Sequence, residues 1–297
     1  MMKNRVIGTT IARLMIGLIV LKDLIIYFIH RDDLFGKYAI MPMMGYRLTL
    51  KTLNLEYLRL PFENDVFITA LILFGILLGV LFTLGYRIVI SGFLLALVLM
   101  SLRLRNIYIL DGADNVIWTV LPFIAMASSY HLISNKQVNQ LGALQDFAPL
   151  GVMIQFSLVY LFASLTKLKE PVWQNGEALY YILRVEDFRP SALNVWLTQS
   201  VWFVKVNTYF TLAWELAFPF LIWFKRTRNI ILMMGVVLHL GIWVLMRIDN
   251  FSLVMISLYS VFFFDEEYKS LKARITSEDT PFGQRLKNVK KRLKLQD

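Results

Sequence analysis

Long runs of apolar residues alternate with short polar segments along most of the chain. Three of these runs, at residues 66–85, 115–135 and 147–166, contain no charged side chain. An α-helix needs roughly 20 residues to cross the hydrocarbon core of a bilayer, since each residue adds about 1.5 Å. Each run reaches or exceeds that length. The pattern therefore predicts membrane-spanning helices rather than the elements of a water-soluble domain.

The predicted fold is all-α, a polytopic membrane protein with a bundle of about eight transmembrane helices and interfacial amphipathic segments. We assign residues 1–264 to the bundle and residues 265–297 to a basic cytoplasmic tail. The predicted spans cover residues 6–29, 66–85, 87–102, 115–133, 147–167, 203–224, 228–247 and 250–264.

The first apolar stretch resembles a secretory signal peptide, because Lys3 and Arg5 precede it. Arg13, Lys22 and Asp23 interrupt the stretch, however, and no convincing small-residue cleavage site follows it. We therefore expect this segment to be retained as the first span.

Composition supports the membrane assignment and excludes several kinds of site. Hydrophobic residues make up 57% of the 297 residues, above the roughly 45–50% of soluble domains. The chain has no cysteine, so disulfides, thiolate zinc sites and cysteine nucleophiles are excluded within it. Its three histidines, His30, His131 and His239, show no paired spacing, and we expect no metal site.

The formal net charge is +10, and its distribution points to membranes rather than nucleic acid. Lys and Arg lie mostly at the ends of apolar runs and in the tail, so membrane lipids are the expected anionic partner. The loop at residues 225–228 and the tail carry most of the excess basic charge. By the positive-inside rule, both termini are predicted to be cytoplasmic.

Three segments outside the predicted spans are amphipathic. Residues 44–60 mix leucines with charged residues, which suits an interfacial strip that is either helix or strand. Residues 168–202 are rich in Trp and Tyr, which favour headgroup depth, and predict a partly embedded external cap. Residues 284–295 place apolar residues on one face of a basic helix, which predicts contact with the inner leaflet.

Acidic residues occur at the start of the fourth predicted span. Asp111, Asp114 and Asn115 have spacings of three and four, which place the two acids together on one helical face. Two close carboxylates favour keeping a proton between them. Asp and Asn are also favoured helix starters. A capping role and a chemical role are both open, and they are compatible.

A lysine ends the fifth predicted span. Lys167 shares a helical face with Tyr160 and Ser164. Desolvation disfavours the charged form of a lysine, so an apolar cavity favours a neutral amine that acts as a base. Lysines near helix ends also commonly extend to the membrane interface. Both interpretations fit the position of Lys167.

Two ionisable residues lie deeper in the later spans. Glu215 precedes Pro219 by four residues, and Pro219 leaves the Glu215 carbonyl without its usual hydrogen bond. Glu215 is thus either a functional group in a polar cavity or a protonated interhelical hydrogen-bond partner. His239 lies four residues from both Gly235 and Trp243. A lone buried histidine is usually a structural partner, and the glycine allows a neighbouring helix to approach.

Several short motifs, in order along the chain, resemble the membrane signature of the HTTM family, which includes vitamin K-dependent γ-carboxylase. They are residues 155–168, Trp173 with Gly176, residues 215–219, Arg228, and His239 followed by residues 250–252. Each motif is short, but the ordered set is fairly specific. The resemblance covers most of residues 1–264.

The resemblance implies a role for Lys167. The matching lysine of the carboxylase deprotonates vitamin K hydroquinone, which then reacts with oxygen to drive carboxylation of peptide glutamates. His239 matches a histidine of the same membrane core. The carboxylase has an Asn-His pair near the position of residues 111–114 and a large lumenal domain, and this chain has neither. In size it is closer to stand-alone bacterial members, one of which matures a sporulation-delaying peptide toxin with a small soluble partner.

The leading hypothesis is a bacterial plasma-membrane protein whose outward-facing cavity performs quinol-dependent or peptide-modifying chemistry. The cofactor that the resemblance implies is a reduced lipid quinone, such as menaquinol or a vitamin K-like molecule. The expected acid–base residues are Lys167, Asp111, Asp114, Glu215 and His239. The expected ligand-binding residues are Tyr160, Ser164, Trp173, Asn115 and Trp243.

The alternative is a non-catalytic membrane scaffold for the maturation or export of a secreted peptide, with a small partner protein. A transporter is the third hypothesis, and the sequence contains no internal repeat of the kind that marks many transporters.

Overall fold

The computed structural model describes residues 4–138, 141–142, 144–188 and 192–276. Within these residues most of the chain is helical, turns and loops connect the helices, and the only strands are one pair of two residues each. The amphipathic segment predicted at residues 284–295 lies outside the described residues.

The first half of the bundle contains six α-helices, and the strand pair follows them. They are α1 (Val6–Ile29), α2 (Arg31–Phe35), α3 (Met43–Thr52), α4 (Asp65–Leu84), α5 (Ile88–Arg105) and α6 (Gly112–Met126), then β1 (Ser129–Tyr130) and β2 (Gln137–Val138).

The second half contains eight further α-helices within the described residues. They are α7 (Leu144–Lys167), α8 (Pro171–Gln174), α9 (Ala178–Ile182), α10 (Ala192–Thr198), α11 (Val201–Leu221), α12 (Lys225–Met246), α13 (Asp249–Tyr259) and α14 (Asp265–Thr276). Four single 3₁₀ turns occur at Glu56–Leu58, Ile107–Ile109, Glu186–Phe188 and Ser260–Phe262.

Each predicted span overlaps a helix, which confirms the helical fold. By length and composition, α4, α5, α7 and α12 are able to cross a membrane. Helices α1 and α11 have 24 and 21 residues but carry charged side chains within the span. Helices α6 and α13 are apolar but shorter. Four crossings are thus supported directly, and the total of about eight stays a prediction.

The prediction that the fourth span continues to residue 133 is wrong. Helix α6 ends at Met126, and β1 then pairs antiparallel with β2, with Tyr130 opposite Gln137. Side chains of α1 hold this non-helical backbone: Thr10 Oγ1 accepts a hydrogen bond from the Tyr130 amide at 2.8 Å. Arg13 donates to the Tyr130 carbonyl at 2.7 Å. Hydropathy does not report such long-range partners.

Arg13 is fully buried although it lies within the first predicted span. Its guanidinium also donates to the carbonyls of Phe82 and Thr83, at the end of α4. A buried charge is costly unless hydrogen bonds satisfy it. These carbonyls satisfy most of its donors, and Arg13 fastens three separate segments together.

Helix α1 packs against α4 and α13, and α4, α5, α6, α7 and α11 follow one another as packed neighbours. The contact between α1 and α4 is close because Gly17 has no side chain. A Cβ atom at Gly17 would lie 2.2 Å from Oγ1 of Thr83. Small residues at helix interfaces allow this kind of approach in membrane bundles.

The bundle has two ends, which we name by the elements found there. The amino end is where α1 begins, and the cap end is where α7 ends. At the amino end, Arg5 donates to the Val261 carbonyl at 2.8 Å, and the Ile7 amide donates to Asp265 at 2.9 Å. These bonds join the first helix to the start of α14.

At the cap end, the buried guanidinium of Arg105 holds the loop after α2. It donates to the carbonyls of Phe35, Gly36 and Met41 at 3.1, 2.9 and 2.7 Å. Three carbonyl acceptors compensate for desolvation of this charge. The loop is thereby fixed to the end of α5.

The interfacial strip at residues 44–60 is helical, which settles the choice between helix and strand. Helix α3 buries Tyr46 and Leu50 against the bundle. The Tyr46 hydroxyl accepts a hydrogen bond from the Leu60 amide at 3.1 Å. Its exposed side chains are both polar, at Arg47, Lys51 and Thr52, and apolar, at Met44 and Leu48, a mixture that suits the membrane interface.

The segment predicted as a cap consists of the short helices α8, α9 and α10. Two contacts attach it to α11: the Leu179 amide donates to Thr208, and the Tyr209 hydroxyl donates to the Gln174 carbonyl at 2.9 Å. Its Trp196 is 66% exposed, as expected for an aromatic side chain that meets lipid headgroups. Embedding of the cap in a membrane stays a prediction.

Candidate functional site

An ion pair joins α7 to α11 near the cap end. The Lys167 amine donates to Oε1 of Glu215. The side chain of Glu215 is 8% exposed, and that of Lys167 is 25% exposed. Lys167 therefore reaches inward to a buried carboxylate rather than only outward to the interface.

Trp173 of α8 covers the pair from the cap. The Lys167 amine lies 4.9 Å from the centroid of the Trp173 ring, which is within the range of a cation–π contact. The backbone between them is compact, because the Trp173 amide donates to the Glu170 carbonyl at 3.0 Å. The first turn of the cap thus places an aromatic face against the amine.

A hydrogen-bonded chain of three buried side chains lies in the core beside the pair. The Tyr160 hydroxyl is 2.9 Å from Nε2 of His239 and 2.8 Å from the Tyr259 hydroxyl. These residues belong to α7, α12 and α13, so the chain connects three helices. All three are at most 3% exposed.

Gly235 makes room for this chain. A Cβ atom at Gly235 would lie 2.3 Å from the Tyr259 hydroxyl and 2.7 Å from Cζ2 of Trp214. The Trp214 indole in turn donates to the Ile231 carbonyl at 3.1 Å. The close approach expected at Gly235 is therefore present, and it brings α12 against α11 and α13.

Hydrogen-bonding capacity remains unused at this site. Glu215 Oε2 and His239 Nδ1 are buried and have no hydrogen-bond partner among the described residues. Ser252 Oγ, on α13, is buried without a partner as well. Buried polar atoms are rarely left unpaired, and those that are call for an explanation. We call Lys167, Glu215, Tyr160, His239 and Tyr259 the lysine cluster.

The acidic residues at the start of α6 form a second cluster with a different character. Asp111 is the N-cap: its Oδ1 accepts from the Asp114 amide at 3.0 Å, and Asp114 Oδ2 accepts from the Asp111 amide at 3.0 Å. This reciprocal arrangement is a capping box. Asp114 also forms a buried ion pair with Arg103 of α5. The predicted capping role is present.

Asp23 of α1 lies near this second cluster and has its own partners. The side-chain amide of Asn250 donates to both Asp23 oxygens, at 3.2 and 3.3 Å. Lys22 lies 3.6 Å from Asp23 and also donates to the Asn250 side chain. We call Arg103, Asp111, Asp114, Asp23 and Asn250 the aspartate cluster.

Phe251 lies beside both clusters. Its ring centroid is 5.4 Å from that of His239, and a Cβ atom at Gly112 would lie 3.1 Å from the same ring. The described structure thus arranges the predicted acid–base residues in two neighbouring groups. Asp111 and Asp114 are in one group, and Lys167, Glu215 and His239 are in the other.

The residues predicted to bind a ligand have varied surroundings. Ser164 is fully buried, and its hydroxyl donates to the Leu161 carbonyl of its own helix. Asn115 is exposed, and Trp243 is 39% exposed. Of this set, Tyr160 and Trp173 are held beside the pair by the contacts given above. Contact of any of them with a ligand stays a prediction.

Three cavities lie away from Lys167, which lines none of them. A cavity of about 410 Å³ opens at the amino end beside Arg5 and Arg228. A cavity of about 400 Å³ lies in the cap beside Tyr180 and Arg184. A third, of about 670 Å³, lies between the start of α12 and α14. None of these three is therefore the outward-facing cavity expected at Lys167.

Among the described residues, no group of three or more His, Asp or Glu side chains is arranged to hold a metal ion. The carboxylates near each other in the aspartate cluster are occupied by Arg103, Lys22, Asn250 and backbone amides.

Sequence reasoning missed three contributors to these clusters. Arg103 lies just beyond the predicted third span, a position typical of a basic residue that flanks a membrane helix. Tyr259 lies among the apolar residues of the last span, and only its spacing of seven from Ser252 places both on one helical face. Asn250 is part of a matched motif, but nothing in the sequence connects it with Asp23.

A family model described as the HTTM domain matches residues 6–267 of the chain. The match extends from α1 into the first turn of α14, and it contains both clusters and the cap. No curated protein and no solved structure matches the chain.

Proposed function

The chain belongs to the HTTM family, and from this we propose that its lysine cluster performs acid–base chemistry on a weakly acidic hydroxyl group of a lipid-soluble ligand. The observation that carries the proposal is the Lys167–Glu215 pair, one end of which is partly exposed while the other retains an unpaired buried oxygen. A ligand hydroxyl bound to that oxygen would explain why it has no partner in the protein.

The proposed proton path uses groups that are already in contact. Transfer of one proton from the Lys167 ammonium to Glu215 leaves a neutral amine and a neutral carboxylic acid. A neutral pair suits a site of low dielectric, where separated charges are costly. The free amine then accepts the proton of the ligand hydroxyl, which leaves an oxyanion on the ligand, an ammonium on Lys167 and the first proton still on Glu215.

A reduced lipid quinone fits this set of side chains. It carries two weakly acidic hydroxyl groups and an apolar ring, and when bound it would supply two electrons for reduction of oxygen. Glu215 Oε2 and His239 Nδ1 are unpaired buried atoms available to its hydroxyl groups. Trp173 offers an aromatic face beside the amine. Lys167 and Glu215 would hold the reacting hydroxyl.

The Tyr160–His239–Tyr259 chain has a positioning role in this proposal. Its hydrogen bonds fix the imidazole so that Nε2 faces Tyr160 and Nδ1 is left for another partner. Orientation of a ring nitrogen by the hydrogen bond of the other nitrogen is a common device. The orientation of the His239 ring is therefore fixed, with Nδ1 free to bind a ligand.

The test is oxygen consumption by the purified protein with reduced menaquinone. Lys167→Ala removes the proposed base, and a rate loss of roughly 10²- to 10⁴-fold is expected for removal of general-base catalysis. Lys169→Ala is the matched control, because Lys169 is an exposed lysine two residues away. Its rate should stay at the wild-type value.

Wild-type protein that consumes no oxygen above a protein-free control would contradict the choice of quinol. Equal rates in wild type, Lys167→Ala and Lys169→Ala would contradict the catalytic role of Lys167. Retention of the elution volume on size-exclusion chromatography shows that a slow variant is still folded.

We also propose eight crossings in a bacterial plasma membrane, with both termini in the cytoplasm. Arg5, Arg87, Lys136 and the loop before α12 place basic residues at the amino end. The cap end also carries Lys and Arg, with acidic residues among them. The proposed orientation therefore rests mainly on the basic loop at residues 225–228 and on the basic tail.

The absence of cysteine allows a direct topology test. Tyr57→Cys places a thiol at the cap end, where Tyr57 is 79% exposed, and Lys136→Cys places one at the amino end. An impermeant maleimide should label Tyr57→Cys in intact spheroplasts and Lys136→Cys only after permeabilisation. The reverse result would overturn the orientation.

A second candidate function is that of a non-catalytic scaffold, which binds a secreted peptide together with a small partner protein. The cap cavity of about 400 Å³ favours it, because Tyr180, Tyr181, Arg184 and Lys205 line it. The Arg184 guanidinium lies 4.2 Å from the Tyr180 ring centroid and also donates to Thr198 at 3.0 Å. Such a lining suits an acidic peptide with an aromatic residue.

Binding of a fluorescent acidic, aromatic synthetic peptide tests this second candidate. The scaffold function predicts binding that survives Lys167→Ala and is lost in Arg184→Ala. Absence of binding to the wild type, or equal binding to Arg184→Ala, would remove the cap cavity as the site.

A further inference from the structure

The amino end contains a cavity of about 410 Å³ that neither candidate function uses. Both polar and apolar side chains line it. The polar part consists of Arg5, Lys225, Arg228 and Asp146. Three cations and one carboxylate thus line this part of the cavity.

Two of the three cations are held in fixed positions. Arg228 is 5% exposed, donates to the Phe262 carbonyl at 3.1 Å, and already forms an ion pair with Glu267 of α14. Arg5 donates to the Val261 carbonyl at 2.8 Å, and its guanidinium lies 4.1 Å from the centroid of the Phe264 ring. Lys225, at the first position of α12, is exposed and free to move toward a ligand.

The two arginines are close enough to repel each other. Burial, and then the positive charge of Arg228, lower the pKa of Arg5 to about 10. Glu267 and Asp265 offset part of this repulsion. An anion between Arg5 and Arg228 would lower the electrostatic energy further, because it would face both guanidinium groups.

The rest of the wall is apolar and continues along the bundle. Pro149, Leu150 and Met153 of α7 face Ile222 at the end of α11. Trp223 is part of the same lining and is 43% exposed. A wall of this kind suits a hydrocarbon chain, and a half-exposed Trp is typical of the interface between headgroups and chains.

We propose that this cavity binds an anionic phospholipid, with its phosphate group at Arg5, Lys225 and Arg228 and one acyl chain along Pro149, Leu150 and Met153. A phosphate group matches the fork of donors that arginine presents. Free phosphate shares the head-group chemistry but leaves the apolar wall uncovered. The proposal is independent of the lysine cluster, which lies toward the other end of α7.

The test measures the unfolding temperature of the purified protein in neutral detergent as phosphatidylglycerol is added. Phosphatidylglycerol should raise the unfolding temperature, because a ligand that binds only the folded state stabilises it. Phosphatidylcholine and inorganic phosphate should raise it much less. Lys225→Gln should increase the half-saturating concentration of phosphatidylglycerol roughly fivefold, the effect of one basic residue near an anionic headgroup.

Two further variants separate head group from chain. Lys136→Gln removes an exposed lysine at the same end but outside the cavity, and it should bind phosphatidylglycerol like the wild type. Leu150→Trp fills the apolar wall without changing charge, and it should weaken phosphatidylglycerol binding. Both the Lys225 and Leu150 variants should match the wild type in unfolding temperature without lipid to within a few degrees.

Three results would overturn the proposal. They are an equal response to phosphatidylcholine, an equal response to inorganic phosphate, and unchanged phosphatidylglycerol binding by Lys225→Gln and Leu150→Trp. The second of these would identify a site for a small anion in place of a lipid site.

Discussion

Two ion pairs at the cap end contain the same kinds of charge in different surroundings. In the aspartate cluster, Arg103 and Asp114 are 9% and 6% exposed, and both carboxylate oxygens of Asp114 are used. In the lysine cluster, Lys167 is 25% exposed, and Glu215 Oε2 is buried without a partner among the described residues. The Asp114 carboxylate is saturated by the fold, although Arg103 Nε is also buried without a partner, whereas the Glu215 carboxylate keeps one oxygen free for a ligand.

The comparison separates two uses of charge inside a membrane protein. Ionisable residues at membrane depth are costly and commonly mark function. Asp114 meets that criterion, yet its partners account for it fully: it pairs with Arg103 and closes the capping box with Asp111. Depth alone therefore does not identify a functional residue. The Glu215 carboxylate differs from that of Asp114 in keeping one oxygen without a partner among the described residues.

The largest expected effect on stability comes from breaking the buried Arg103–Asp114 ion pair. Asp114→Ala leaves Arg103 buried without a counter-charge, so the free energy of unfolding should fall by about 3–5 kcal/mol. Glu215→Ala should cost less, because the longer and more exposed Lys167 is able to turn toward water. Unfolding in mixed micelles, followed by Trp fluorescence, measures both.

Replacing both partners sharpens this prediction. In Arg103→Met/Asp114→Leu the buried charges are gone together, and most of the lost stability should return. A double variant as unstable as Asp114→Ala would show that the capping box, rather than the charge pair, dominates the stability of this region.

The next largest effect is expected at Gly235. Gly235→Ala puts a methyl group within 2.3 Å of the Tyr259 hydroxyl and 2.7 Å of Trp214, so one helix must shift. Overpacking of this kind costs about 1–3 kcal/mol. Gly241→Ala on the same helix is the control, because a Cβ there meets no atom within 4 Å. Equal unfolding temperatures of the two variants would contradict the close approach.

A smaller effect is expected from Tyr259→Phe. The ring and its packing stay, and the variant loses the 2.8 Å hydrogen bond to Tyr160. A single buried hydrogen bond contributes about 0.5–1.5 kcal/mol. Tyr268→Phe is the comparison outside the cluster, since its hydroxyl donates to the Ser260 carbonyl at 2.8 Å. If the chain positions His239, Tyr259→Phe should also slow quinol-dependent oxygen uptake, whereas Tyr268→Phe should not.

The smallest effect on stability is expected for the exposed ion pairs of Glu63, which serve as a comparison for the buried pairs. Glu63 accepts hydrogen bonds from Arg47 at 3.0 Å and Arg59 at 2.8 Å, and its side chain is 45% exposed. These two hydrogen bonds lower the pKa of Glu63 from its ordinary value of 4.5, and the bond from Arg47 contributes more than the bond from Arg59. Glu63→Gln should cost about 0.2–1 kcal/mol near neutral pH.

The pH dependence of this small effect has a definite sign. A carboxylate whose pKa is lowered by folding stabilises the folded state at pH values above its ordinary pKa. That contribution is lost as the pH falls below 4.5 and through the lowered value. Wild type and Glu63→Gln should therefore converge in acid. A difference that persists or grows there would contradict the role of the two arginines.

Much of the fold was predictable because hydropathy reports which helices face lipid or core. The boundaries were less so: α6 ends at Met126 because Thr10 and Arg13 bind the backbone beyond it. Those contacts join residues that are more than a hundred positions apart. Periodicity is a local property, and it carries no information about them.

The candidate site was predictable in its residue types rather than in its grouping. Glu215 and His239 stand out in sequence because ionisable residues are rare in apolar spans. Their partners Lys167 and Tyr160 come from another helix, and which helices meet depends on packing at residues such as Gly235. The acid–base residues expected at one outward-facing cavity therefore lie in two clusters, one on either side of Phe251.

The most direct test of the contrast between the two pairs is quinol-dependent oxygen uptake per folded molecule, measured side by side for Lys167→Ala and Arg103→Met/Asp114→Leu. We predict a loss of at least roughly 100-fold in the first variant, and a rate within about twofold of the wild type in the second, where no general base is removed. Equal losses in both variants, or full activity without the Lys167 amine, would contradict the assignment of chemistry to the lysine cluster and of structure to the aspartate cluster.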